Sequence, residues 1–82
     1  MAVKVGEVTH YYDKIGVAIV ELLADLAVGD KVKFQRGGED LFEQEVKSIQ
    51  VEHENVEMAH KGDVVGLKVD EEVREGAEVF KE

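Results

Sequence analysis

The sequence predicts a small all-β domain, an antiparallel barrel or sandwich spanning residues 1–82. Three observations carry this expectation. Short segments rich in valine and other β-branched or aromatic residues recur along the whole chain. Glycine-containing turn signals separate them at short intervals. Two segments, Lys31 to Gln35 and Val65 to Val69, alternate apolar and polar residues with a period of two.

The elements follow in order. Val3 to Tyr12 reads as a strand, with Gly6 marking a bulge or a close backbone approach. Asp13-Lys14-Ile15-Gly16 reads as a turn, and Gly16 to Leu22 as a second strand. Gly29-Asp30 turns the chain into Lys31 to Gln35, where Val32 and Phe34 share one face. Gly37-Gly38 is a hairpin turn. Two stretches fit either period: Ile15, Ile19, Leu22, Leu23 and Leu26 also form a helical stripe, and so do Phe42, Val46 and Ile49. Read as one strand, Asp40 to His53 changes phase between Val46 and Ile49, which requires a bulge near Lys47-Ser48. Lys61-Gly62-Asp63 turns into Val65, Leu67 and Val69, and Arg74-Glu75-Gly76 into Val79-Phe80. Gly66 sits inside a strand, where a side chain would obstruct close packing. No linker, low-complexity tract or internal repeat stands out.

Composition narrows the function. A chain of 82 residues has room for one domain and none for a deep cleft between lobes. Hydrophobic residues at 44% and charged residues at 35% are a globular balance. The absence of cysteine removes disulfides and thiolate metal sites, and favours a cytoplasmic location. No apolar run approaches the ~20 residues of a membrane span. The formal net charge of −9 repels phosphate backbones at long range.

Catalytic chemistry finds no recognisable constellation. Gly37-Gly38 is followed by Glu39-Asp40, whose carboxylates would repel a phosphate, so no GTP-binding loop is read there. His10, His53 and His60 lack metal-ligand spacing. Ser48 and Thr9, the single serine and threonine, lie in no nucleophile motif. The carboxylates between Glu39 and Glu57 read as a solvated strand face. The expectation is therefore no enzyme, no catalytic residue, no cofactor and no metal. Tyr11 and Tyr12 face opposite ways, so one of them is exposed and available for binding. With Lys14, Lys31 and Lys33 it would make a small basic binding face.

Four blocks resemble the second domain of translational GTPases such as elongation factor Tu. They are Leu26 to Phe34, Val46 to Gln50, Val56 to Leu67 and Val73 to Val79. Val5-Gly6-Glu7-Val8, Tyr12-Asp13, Val28-Gly29-Asp30 and Gly37 to Phe42 resemble the closing domain of the collagenase-like peptidase family, whose members include RNA hydroxylases. Either resemblance implies strands in both ambiguous stretches and a closed six- or seven-stranded Greek-key barrel that accompanies a catalytic domain. Gly29, Asp30, Gly62, Asp63, Gly66 and Gly76 would be its structural turns and close-packing positions. In the translation factors a polar asparagine helps hold aminoacyl-tRNA; here Val64 stands in its place. The expected role is a stand-alone binding module for RNA or a protein of the translation machinery. The alternative is an accessory barrel supplied to a separately encoded enzyme.

Overall fold

A computed structural model describes residues 2–81, and all of their regular structure is β. The ten strands are β1 (Val3–Tyr12), β2 (Val17–Leu22), β3 (Leu26–Ala27), β4 (Lys31–Arg36), β5 (Glu39–Glu45), β6 (Ile49–Val51), β7 (Glu54–Val56), β8 (Met58–Ala59), β9 (Val64–Lys68) and β10 (Glu78–Lys81). The two stretches with a helical stripe are therefore not helical. Burial decides the first: Ala18, Val20 and Leu22 face the core from one side of β2, a period of two rather than of 3.6.

Eight strands form one antiparallel sheet in the order β5-β4-β10-β1-β2-β9-β6-β7, and β3 pairs with β8 apart from it. Among the described residues no ladder joins β5 to β7, so hydrogen bonding leaves the sheet open. It nevertheless curls: Gln44 on β5 reaches the end of β9, donating to the Lys68 carbonyl at 2.9 Å. The core inside the curl holds Val5, Val8, Val20, Leu22, Val32, Phe34, Val65, Leu67 and Val79, each at most 2% exposed. Phe34 stacks on the half-buried Phe42 at 4.7 Å between ring centroids.

The expected long strand from Asp40 to His53 is split into β5, β6 and the start of a hairpin. Val46 and Ile49 are both buried, yet they are an odd number of positions apart. An unbroken strand would put them on opposite faces. The chain instead leaves the ladder at residues 46–48. The Val46 amide donates to the Asp30 carbonyl at 2.8 Å, and its carbonyl accepts from Gly29 at 2.9 Å. Gly6 lies at a register irregularity of the β1–β10 ladder, as its position in the strand suggests. A Cβ there would stand 2.6 Å from Val20 Cγ1 and 2.9 Å from the Glu21 carbonyl oxygen.

The outer face of an apolar strand as candidate functional site

β2 is apolar on both sides over its first four residues, with Glu21 the one charged side chain on its outer face. Ala18, Val20 and Leu22 point inward, while Val17 and Ile19 point outward and are only half-buried. An antiparallel strand facing water on one side ordinarily carries polar residues there. The ladder extends this outer face. Tyr12 lies opposite Val17 on one side, and Gly66 lies opposite Ile19 on the other. Gln50 lies beyond Gly66. The result is a groove of about 300 Å³ lined by Tyr12, Ile15, Val17, Ile19, Val64 and Gly66, with Gln50, Glu52 and His53 at its far wall.

Gly66 makes the groove. Its backbone is ordinary strand, so no positive φ demands glycine. An added Cβ would meet Val17 Cγ1 at 3.3 Å, Ile19 Cδ1 at 3.8 Å and Gln50 Cβ at 4.0 Å. It would thus occupy the floor. Glycine inside a strand costs stability, and here the return is open space at the surface. Tyr12, Ile15 and Val64 remain 48%, 57% and 53% exposed around it. An exposed apolar cluster of this kind is a candidate interaction site.

The far wall is held in an unusual backbone. Glu52 and His53 form the two-residue loop of the β6–β7 hairpin, with φ values of 51° and 68°. A tight hairpin of this sort wants positive φ at both positions and favours Asn-Gly. Here two residues with side chains accept the strain and present them to the groove.

The tyrosines divide as alternation requires. Tyr12 is exposed, in an edge contact with His10 at 4.4 Å. Tyr11 is half-buried, packed against the core and lining a second, shallower concavity of about 450 Å³ with Asp13, Arg36, Glu72 and Arg74. The three lysines do not gather there. Lys14 lies in the β1–β2 turn near Tyr12. Lys31 and Lys33 lie on β4, in register with Glu45 and Glu43 of β5. Through Phe80, Lys33 aligns with Lys4 at the opposite end of β1 from the tyrosines. That separation is on the order of 20 Å at ~3.3 Å per strand residue. Lys33 also faces Asp40 at 3.6 Å.

Three of the other polar candidates have partners in the fold: His10, His60 and Thr9. His10 approaches Glu75 at 3.3 Å, and His60 approaches Asp25 at 3.5 Å. Thr9 Oγ1 donates to the Ile19 carbonyl at 3.3 Å. Among the described residues no three His, Asp or Glu side chains converge as metal ligands would. Nor is any helix among the described residues long and apolar enough to cross a membrane.

Comparison with solved structures decides between the two resemblances. The chain superimposes on the C-terminal domain of a U32 peptidase from Geobacillus thermoleovorans with a TM-score of 0.88 and 26% identity, covering 96% of this chain and 91% of that one. Its fold is that of a U32 peptidase C-terminal domain. The selenomethionine variant of the same domain gives a TM-score of 0.87 at 24% identity. In sequence, 78 residues are 40% identical to an uncharacterized protease of Methanocaldococcus jannaschii. That match covers 95% of this chain but only 19% of the protease. No family model matches. The peptidase resemblance is thus supported, and the translation-factor resemblance gains nothing from these relatives.

The groove residues were harder to foresee than the fold. In the sequence Ile15 reads as turn, Ile19 as strand, both also fitting a helical stripe, and Val64 as a lost polar handle. The available signal was β2 itself: Val17-Ala18-Ile19-Val20 is apolar at both parities, which a half-exposed strand does not need.

Proposed function

We propose that this chain is the accessory domain of a U32-type peptidase system, working beside a catalytic portion that residues 1–82 do not supply. One observation carries the reading. The U32 C-terminal domain is matched almost end to end, while the same residues correspond to about a fifth of the protease relative. The remaining four-fifths of such a protein has room for the catalytic machinery. The chain itself has the form of a barrel-like support, and its function is to bind and not to catalyse. A role in translation rests on the weaker of the two resemblances and is set aside.

The test is a turnover assay on unfolded protein and peptide substrates. The chain alone should hydrolyse none of them. Added to the separately purified catalytic portion of a U32 peptidase, it should change that portion's rate or its thermal midpoint. Turnover by the chain alone, or indifference of the catalytic portion to a large excess of chain, would refute the proposal.

A further inference from the structure

Resting on that accessory role, the geometry points to one occupant for the outer groove: an apolar segment of the catalytic portion, flanked by lysine or arginine. We propose that this segment seats over Gly66, between Ile19 and Val17 on one side and Gln50 on the other.

The apolar half of the proposal follows from the lining. Ile15 and Val64 stand more than half exposed at the mouth, with Tyr12 beside them, and β2 turns two further aliphatic side chains outward. Covering them removes apolar surface from water at roughly 25 cal/mol per Å². A groove of about 300 Å³ takes a few side chains and is at the small end for an organic ligand.

The basic half follows from the rim. Glu21 lies opposite Val64 on the same outer face, Glu52 lines the far wall, and Asp13 follows Tyr12 in the turn. Two cations stand nearby: Lys14 follows Asp13 in the turn, and Lys68 is tied back, its ammonium donating to the Ile15 carbonyl at 2.5 Å, so three carboxylates face two lysines of which one is already engaged. The chain as a whole carries −9. An acidic segment would meet like charge at the rim, whereas a basic one is steered to it.

The probes are two synthetic peptides sharing an Ile/Leu core, one flanked by lysines and one by glutamates, titrated into the 15N-labelled chain. The lysine-flanked peptide should shift the amide signals of Tyr12, Ile19, Val64 and Gly66. The glutamate-flanked peptide should bind at least about tenfold more weakly. Ile15→Glu and Val64→Glu change exposed positions and should leave the fold intact, each weakening binding by about tenfold. Gly66→Ala should act likewise by filling the floor. Equal binding of the two peptides, shifts confined to another face, or no shift at millimolar peptide would overturn the proposal. So would a concentration-dependent dimer abolished by Val64→Glu, since the occupant would then be a second copy of the chain. If Ile15→Glu still associates with the catalytic portion as the unaltered chain does, the groove assignment fails and the accessory role stands. If the unaltered chain ignores that portion yet seats the lysine-flanked peptide, the accessory role fails and the chemistry of the groove stands.

Discussion

Asp30 and Asp63 perform the same task at two equivalent corners. Each carboxylate accepts a hydrogen bond, at 2.9 Å, from the backbone amide three residues earlier: Ala27 for Asp30 and His60 for Asp63. Each aspartate's own amide returns a bond to that residue's carbonyl, at 3.1 and 2.9 Å. Gly29 and Gly62 precede them with φ of 96° and 93°, a region open to glycine and costly for other residues. The two corners are joined, since Leu26 pairs with Ala59 and Ala27 with Met58. The chain thus contains a local structural repeat, β3–turn–β4 and β8–turn–β9, that sequence inspection alone passed over. Asp30→Ala and Asp63→Ala should each cost about 1 kcal/mol in urea unfolding, the usual worth of such a hydrogen bond. Asparagine at either site, which keeps an acceptor, should cost less.

Gln44 is the buried polar residue that holds the curl. Its Nε2 donates to the Lys68 carbonyl at 2.9 Å, and its Oε1 accepts from the Asp70 amide at 2.8 Å. Gln44→Leu keeps most of the volume but strands both backbone groups. A loss of about 1–3 kcal/mol is expected, together with faster hydrogen exchange at Asp70.

Gly6 and Gly66 should respond differently to alanine. At Gly6 the new methyl would overlap a core side chain and a backbone carbonyl, so the ladder must shift. A cost of about 1–3 kcal/mol is expected from such overpacking. At Gly66 the tightest neighbour is a valine methyl at 3.3 Å on the open face. Thermal unfolding of Gly66→Ala should therefore lie much closer to that of the unaltered chain.

The Glu52-His53 loop can be relaxed. Replacing it by Asn-Gly supplies the residues its positive φ values favour. Relief of strain, less the added freedom of glycine in the unfolded chain, should raise stability by about 1 kcal/mol. The same change removes two side chains from the groove wall. A gain in stability accompanied by weaker peptide binding would show that the strain serves the surface.

Lys4 adds a small alkaline dependence to the stability of the fold. Its ammonium contacts Glu78 at 2.7 Å and Glu7 at 2.9 Å. The hydrogen bond to Glu78 and then that to Glu7 raise its pKa above the ordinary 10.5. A raised pKa in the folded state stabilises the fold below the unfolded value, and that contribution disappears as pH climbs through the folded value. The difference in stability between the unaltered chain and Lys4→Gln should be steady at neutral pH and shrink above about pH 10.5. Solvent exposure keeps it small, so it is best read by comparing complete pH–stability curves.

Much of the fold was legible because period and turn chemistry agreed. Val32 and Phe34, like Val65 and Leu67, alternate cleanly and are buried as alternation requires. Where the reading faltered, tertiary contacts override local pattern. Val46 and Ile49 are both buried only because Val46 leaves its ladder to bond with Gly29 and Asp30, which no window of sequence displays. The candidate surface is less legible. Strand parity requires one of Tyr11 and Tyr12 to be exposed without saying which, and of the lysines expected beside it Lys14 is close while Lys31 and Lys33 are separated by the sheet order, in which β10 lies between β1 and β4. Nothing in the sequence marks Ile15, Ile19 and Val64 as a surface cluster, because hydrophobicity does not say which side of a strand is covered.

Sedimentation velocity of the chain mixed with the purified catalytic portion of a U32 peptidase is the most direct check on its proposed role. A faster boundary containing both components in equal number is expected, lost when Val64 is changed to Glu. Two boundaries that move independently at every concentration tested would contradict it.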